Sequence, residues 1–220
     1  MPFWAIEWIF EWVAYFLSNW AFLEVLEYLG TFSVLVGVIL YFSESGDRIK
    51  LKHYEAWQVI NTAQGKGGSG GRIEALQELN ADRIPLVGVN VSDAFLQGVR
   101  LPKANLLRSD FSAADLREAD FTGANFDDAY LVSANFRNGK LDNCSLRGAN
   151  LEQSDLTGAD LTGADLSGAK LSAADLRNAN LDGIHWDQIA EINKANIQGV
   201  HNAPAGFVAW ALSHGAVQSE

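Results

Sequence analysis

Carboxylates are the most numerous groups in this sequence that could do chemistry. In the C-terminal half, Asp110, Asp115, Asp120, Asp155, Asp160, Asp165 and Asp175 fall at multiples of five residues. Paired carboxylates serve acid/base catalysis or hold calcium. Each of these, however, stands directly before a Leu or Phe at one fixed register. That regularity marks a repeat position, solvated or bonded to a turn. His53, His185, His201 and His214 lack metal-ligand spacing. Cys144 is the one cysteine. It excludes an intramolecular disulfide and a multi-cysteine zinc site. It fills a small-residue position and reads as a buried, inert thiol. The run GKGGSGG at residues 65–71 lacks the Ser or Thr that a phosphate loop sets after its lysine, so it reads as a flexible linker. No Ser-His-Asp arrangement stands out. We assign no catalytic residue, no metal ligand and no cofactor.

The chain has 220 residues, a formal charge of −11 and a pI near 4.7. A binder of nucleic-acid backbone needs a basic face, which this balance argues against. Apolar residues make up 48%, too many for a disordered chain.

The elements that carry these residues come from a period of five. From Leu86 to Leu181 every fifth residue is Leu, Phe or Val, at 20 consecutive positions. Two residues before each centre the side chain is nearly always small, as in Ala94, Ala104, Ser109, Ala114, Cys144 and Ser154. Two residues after it, Gly, Asn and Asp dominate, which is turn chemistry. A period of five fits neither a helix nor a flat strand. It fits a chain that turns a corner in each unit, with one large and one small side chain inward. Such units bury a core only by stacking.

The pattern A(D/N)LXX resembles the pentapeptide-repeat family over residues 84–186. The resemblance implies a mainly β fold: a right-handed quadrilateral parallel β-helix, four repeats per turn and about five coils. A helix with Ile73, Leu76 and Leu79 on one face, stopped at Asn80, is expected to cover the first coil. Residues 187–194 read as helical, and residues 205–214 as an apolar C-terminal cap within a 187–220 tail. Residues 195–197 look like one repeat shifted by a single position.

Residues 1–47 are of another kind. They contain no Lys or Arg, and four of the seven tryptophans fall in the first twenty positions. Residues 3–17 read as an interfacial helix or the first leg of a hairpin, with Glu7 and Glu11 one above the other. Residues 20–42 would extend about 35 Å as a helix, enough for a hydrocarbon core of about 30 Å. Arg48, Lys50 and Lys52 follow at once, so the positive-inside bias sets that end in the cytoplasm. Both the one-span and the hairpin readings leave the repeats on the cytoplasmic side of a bacterial inner membrane. A juxtamembrane helix is expected at residues 53–64 from Tyr54, Trp57 and Ile60, inside a 48–83 connecting region. Residues 1–52 hold no histidine, the usual axial ligand for haem. The order of membrane segment, AWQVIN, GGRIEALQELN and repeats resembles membrane-anchored bacterial pentapeptide-repeat proteins.

The expected function is a non-enzymatic scaffold or accessory subunit of a membrane protein complex, in contact with lipid and without nucleic acid or small-molecule substrate. Its partner-binding residues would be Trp4, Glu7, Trp8, Glu11, Trp12, Trp20, Glu24 and Glu27 in the membrane segment, with Val87 and Leu107 on one solenoid face. Carboxylates within a span want partners. Two alternatives stand beside it. The resemblance allows DNA mimicry toward gyrase, although only a mild negative balance over residues 84–186, interrupted by Arg100, Arg108, Arg117, Arg137 and Arg147, supports it. A homo-oligomeric pore lined by Glu24 and Glu27 is the other.

Overall fold

A computed structural model describes residues 4–18, 21–62 and 69–219. The chain divides into two units, Met1–Lys52 and His53–Glu220.

The first unit is helical. Helix α1 is Trp4–Ser18, and helix α2 begins at Ala21 and runs without a break to Thr62. The expected separate helix at 53–64 is therefore the end of α2, because no Pro interrupts residues 43–62 and the helix runs through Ser45, Gly46 and Asp47. Trp20 and most of the Gly-rich stretch lie outside the described residues.

The second unit opens with the last turns of α2. Ala56 and Ile60 are buried there, in one core with Leu76, Leu79 and Leu86. Tyr54, expected on that face, is exposed instead; Ala56 takes the inward place at four residues from Ile60. Helix α3, Arg72–Ala81, buries Leu76 and Leu79. Its Gln77 side chain accepts a bond from the Arg100 N–H at 2.9 Å, and Asn80 Nδ2 donates to the Pro102 carbonyl at 3.1 Å. Both bonds tie α3 to the edge of the first coil.

From Leu86 onward the backbone forms a four-sided parallel coil. Asn90 pairs with Asp110, Asp110 with Tyr130, Tyr130 with Asn150 and Asn150 with Lys170, each partner 20 residues further on. Phe95, Arg100 and Asn105 start three more such columns. The five N–H groups of a unit are all accounted for. In the unit centred on Leu116, the Leu116 N–H donates to Asn135 O at 2.8 Å and Glu118 N–H to Arg137 O at 2.9 Å, both in the next coil. Asp120 N–H donates back to Val99 O, and Ala119 N–H closes the corner onto Leu116 O. The fifth, on Arg117, goes to the Asp115 side chain at 3.3 Å. Buried backbone donors need partners, and this arrangement supplies them without long strands.

Each corner puts the residue two after the centre in the left-handed region, with φ between 55 and 73° through the coil. Side-chain residues are strained there and glycine is not. At Gly158 (φ 67°) a Cβ would also stand 2.6 Å from Asn138 Oδ1, the side chain of the corner one coil earlier. Inside, the large centres are fully buried. Phe111, Phe121, Phe126 and Phe136 meet edge-to-face with centroids 5.0 to 6.4 Å apart, the geometry aromatic quadrupoles favour.

The coil does not stop at Trp186, and residues 187–194 are not helical. Ala190 and Glu191 N–H both point at Ala169 O, at 2.9 and 3.4 Å. Two residues thus oppose one, which is a bulge. Beyond it the same columns continue one residue out of step: Lys170 with Glu191, Asp175 with Asn196, Asn180 with His201. The shifted repeat at residues 195–197 is part of this continuation. Trp186 is the physical cause, since its ring is only half-buried and packs on Phe207 and Trp210 at 5.7 and 5.3 Å. Helix α4, Phe207–Ser213, buries Phe207 and Ala211 over that end. Val217 then pairs with Asn196 as a last strand position.

Two substitutions of opposite sign test this packing. Ser109 Oγ is buried at a position most often filled by Ala and has no hydrogen-bond partner. Ser109→Ala is expected to raise the unfolding free energy by about 1 kcal/mol. Gly158→Ala is expected to lower it by about 1–2 kcal/mol. Denaturant titration followed by circular dichroism reads both.

Candidate functional site

The carboxylates come first, because their placement decides whether the repeats hold chemistry. Asp110, Asp120, Asp155, Asp160 and Asp165 each accept a bond from the backbone N–H two residues on, at 2.9 to 3.1 Å. Asn90, Asn125, Asn135 and Asn150 do the same. The recurrent Asp or Asn is thus an Asx turn that satisfies the one corner donor with no coil-to-coil partner. Among the described residues no group of three His, Cys, Asp or Glu side chains is placed to hold a metal ion. Cys144 is buried, its Sγ donates to Phe121 O at 3.0 Å, and burial pushes the thiol up to about 12. The histidines stand apart. His53 Nε2 lies 2.8 Å from Asp82 Oδ2, His185 pairs in the Asp165 column, His201 follows Asn180, and His214 stacks on Trp210 at 4.5 Å.

Because one coil is 20 residues, surface chemistry is written in columns. One corner column carries Arg117, Arg137, Thr157 and Arg177 beside the side column of Asp115, Asn135, Asp155 and Asp175. Arg117 and Arg177 pair with the Asp two residues before them at 2.6 Å, and Arg137 reaches Asp155 in the next coil at 3.5 Å. The Arg117 side-chain bond, the largest influence, holds the Asp115 carboxyl below the usual carboxylate range. Burial works against ionisation at Asp175, but the side-chain and backbone bonds of Arg177 and its charge outweigh it and lower that carboxyl too. This ladder satisfies itself and leaves no excess charge for a ligand.

Val87 and Leu107 fall one coil apart. They occupy one corner column in successive coils, where the Gly88 N–H donates to Leu107 O at 2.9 Å. Val87 is 47% exposed and Leu107 half-buried. The next two positions in the column are Asp127 and Arg147, so the apolar patch ends there. Sequence reasoning missed Phe95 and Tyr130, 51% and 57% exposed. Both occupy the register position that Asp or Asn fills most often. An aromatic at that position was the available signal.

In the helical unit, Glu7, Trp8, Glu11 and Trp12 are exposed on α1 and Glu27 on α2. The side chains of Trp4 and Glu24, and Trp20 as a whole, lie outside the described residues. On α2 the side chains of Tyr28, Leu29, Phe32, Val34, Leu35, Val38, Ile39, Leu40 and Tyr41 are all exposed, on every side of the helix. The helix from Glu27 on is the one among the described residues that is long and apolar enough to cross a membrane.

Comparison with known proteins agrees with the coil. The family model for pentapeptide repeats matches eight copies, over residues 86–123, 109–148 and 144–183. Solved structures that resemble this chain include Rfr23, a pentapeptide repeat protein of the cyanobacterium Cyanothece 51142, at 26% identity over 58% of this chain and 95% of that one, with a TM-score of 0.41. HetL of Nostoc sp. strain PCC 7120, involved in heterocyst differentiation regulation, is 34% identical over 50% of this chain and 58% of its own, with a TM-score of 0.18. QnrB1, a plasmid-mediated fluoroquinolone resistance protein, is 21% identical over 56% and 71%, with a TM-score of 0.31. No curated protein matches this chain.

Two outcomes follow from the site. Cys144 is expected to resist alkylation at pH 8 in the folded chain and to react fully in denaturant, read by mass. The depressed carboxyls give stability that is present above the ordinary carboxylate pKa and lost as pH falls through the folded value. Thermal melts are therefore expected to drop below about pH 4, and Asp175→Asn to flatten that drop while lowering the plateau.

Proposed function

Residues 86–183 belong to the pentapeptide-repeat family, whose fold is the right-handed quadrilateral β-helix, and on that premise we propose a non-enzymatic membrane-anchored accessory subunit. Helix α2 anchors it, and the solenoid docks onto a membrane protein complex. The observation that carries this reading is the exposed apolar surface of α2 from Tyr28 to Tyr41. In water such a surface is an aggregation hazard; in a bilayer it is matched to its solvent.

The details follow from charge and packing. Arg48, Lys50 and Lys52 after the span favour a cytoplasmic solenoid at a bacterial inner membrane. Arg48 already folds back, its Nη2 donating to Tyr41 O at 2.9 Å with the guanidinium 4.5 Å from the Tyr41 ring centre. Exposed Glu7, Glu11 and Glu27 supply acidic contacts for partner helices, and Val87 with Leu107 an apolar one for the solenoid. Helices α3 and α4 serve as caps, which keep open coil edges from adding strands of other chains. Rigid coils offer long faces and hold them at fixed spacing, which suits a scaffold. The DNA-mimic reading gains nothing from the Arg117–Arg177 ladder, which neutralises the Asp column a mimic would need.

Fractionation and capture test the proposal. The full-length chain is expected to stay in membranes through alkaline carbonate, to leave with detergent, and to bring down a fixed set of integral membrane proteins. Val87→Asp with Leu107→Asp should lose that set while leaving the chain in the membrane. A chain dissolved without amphiphile overturns the anchor. Capture of the chain as a closed self-assembly conducting ions in liposomes moves the assignment to a pore.

A further inference from the structure

We infer that a cavity beside the first coil, flanked by Arg83 and Lys103, binds the phosphate of an anionic phospholipid headgroup; this rests on the membrane anchorage proposed above. The cavity has a volume of about 490 Å³, and its walls include Asn80, Arg83, Ile84, Pro85, Pro102 and Lys103. Arg83 lies in the turn that ends α3, its N–H donating to Asn80 O at 2.9 Å, and Lys103 lies at a corner of the first coil; both line the cavity. Neither forms an ion pair with a described residue, and neither does Arg100 on the same coil. The carboxylate nearest in sequence, Asp82, is engaged by His53 at 2.8 Å. The Asn80 bond to Pro102 O closes one wall. Two cations without counter-ions thus border a concave site whose remaining walls are largely apolar.

The distribution of charge along the solenoid selects the ligand. Residues 86–105, the first coil, carry Arg100 and Lys103 against Asp93, whereas residues 106–186 carry thirteen acids against seven bases. The first coil is therefore basic on a solenoid that is otherwise acidic. The exposed Pro85 and Pro102 line the same cavity. Cations beside exposed apolar side chains are the composition of a lipid-surface contact, where the cations take the phosphates and the apolar groups the acyl boundary. Free phosphate would use the cations and gain nothing from Ile84, Pro85 or Pro102. The acidic remainder of the solenoid is repelled by the same anionic surface, which makes the first coil the end that meets lipid.

The test uses the full-length chain in detergent, titrated with phosphatidylglycerol, phosphatidylcholine or inorganic phosphate and read by native mass spectrometry. Phosphatidylglycerol is expected to bind in preference to phosphatidylcholine, and Arg83→Gln with Lys103→Gln to weaken it by more than about tenfold. Circular dichroism confirms that the double variant keeps its fold, and Lys140→Gln, far down the coil, should leave lipid binding unchanged. Equal retention of the two lipids, or no loss in the double variant, overturns the inference while the membrane anchorage stands. Displacement of the lipid by inorganic phosphate at equal concentration also overturns it. A chain that needs no detergent to stay dissolved fails earlier, at the anchorage itself.

Discussion

The coil-to-coil backbone ladder at a 20-residue offset is the constraint on which everything else in the solenoid depends. It holds only if the chain turns the same corner every five residues. Each corner needs a left-handed residue and a partner for one N–H that the ladder leaves over. The Asx side chain supplies that partner, as at Asp110 and Asp160. The carboxylates that could have meant catalysis therefore belong to the architecture. The bulge at Ala190 and Glu191 shows the same rule under stress. When Trp186 does not enter the core, one extra residue is inserted, two N–H groups share Ala169 O, and the ladder resumes at an offset of 21.

A fixed offset also separates structure from function on the surface. Inward positions tolerate only one large and one small side chain, so they carry no individual information. Outward positions are free, and neighbours on a face are 20 residues apart in sequence. The Arg117–Arg137–Arg177 column and the Val87–Leu107 patch are of this kind, and Arg83, in the turn after α3, lines one cavity with Lys103. They differ in what they leave unmatched. The arginine column meets its own aspartates, while the apolar patch and the cation pair have no partner within the described chain. In the proposed reading, binding is therefore concentrated on the first coils.

The helical unit follows a different logic. A helix whose apolar side chains are exposed on every side has no core of its own to bury them in. In the proposed reading lipid and partner helices supply that burial, and the carboxylates of α1 and α2 supply direction. The last turns of α2 change character at His53, where Ala56 and Ile60 pass into the core of the second unit. One continuous helix thus serves two environments, and the boundary coincides with the end of the basic run Arg48, Lys50, Lys52.

Period, core and coil were legible in the sequence, because a stacked fold repeats its burial pattern in register and needs no knowledge of which coil touches which. The same local logic made α3, the inert Cys144 and the turn role of the aspartates readable. The continuation past Trp186 was not, since a one-residue insertion looks like the end of a repeat until the ladder is seen to resume. The inward face of the end of α2 was misjudged for a related reason: Tyr54 and Ala56 compete for one core, and only the packed neighbours choose the smaller. Val87 with Leu107 could be paired by counting twenty, but Phe95 and Tyr130 could not be weighed without their exposure. Which charges neutralise each other, and which remain over, was decided by tertiary structure alone, because an ion pair depends on ångström distances that the sequence does not encode.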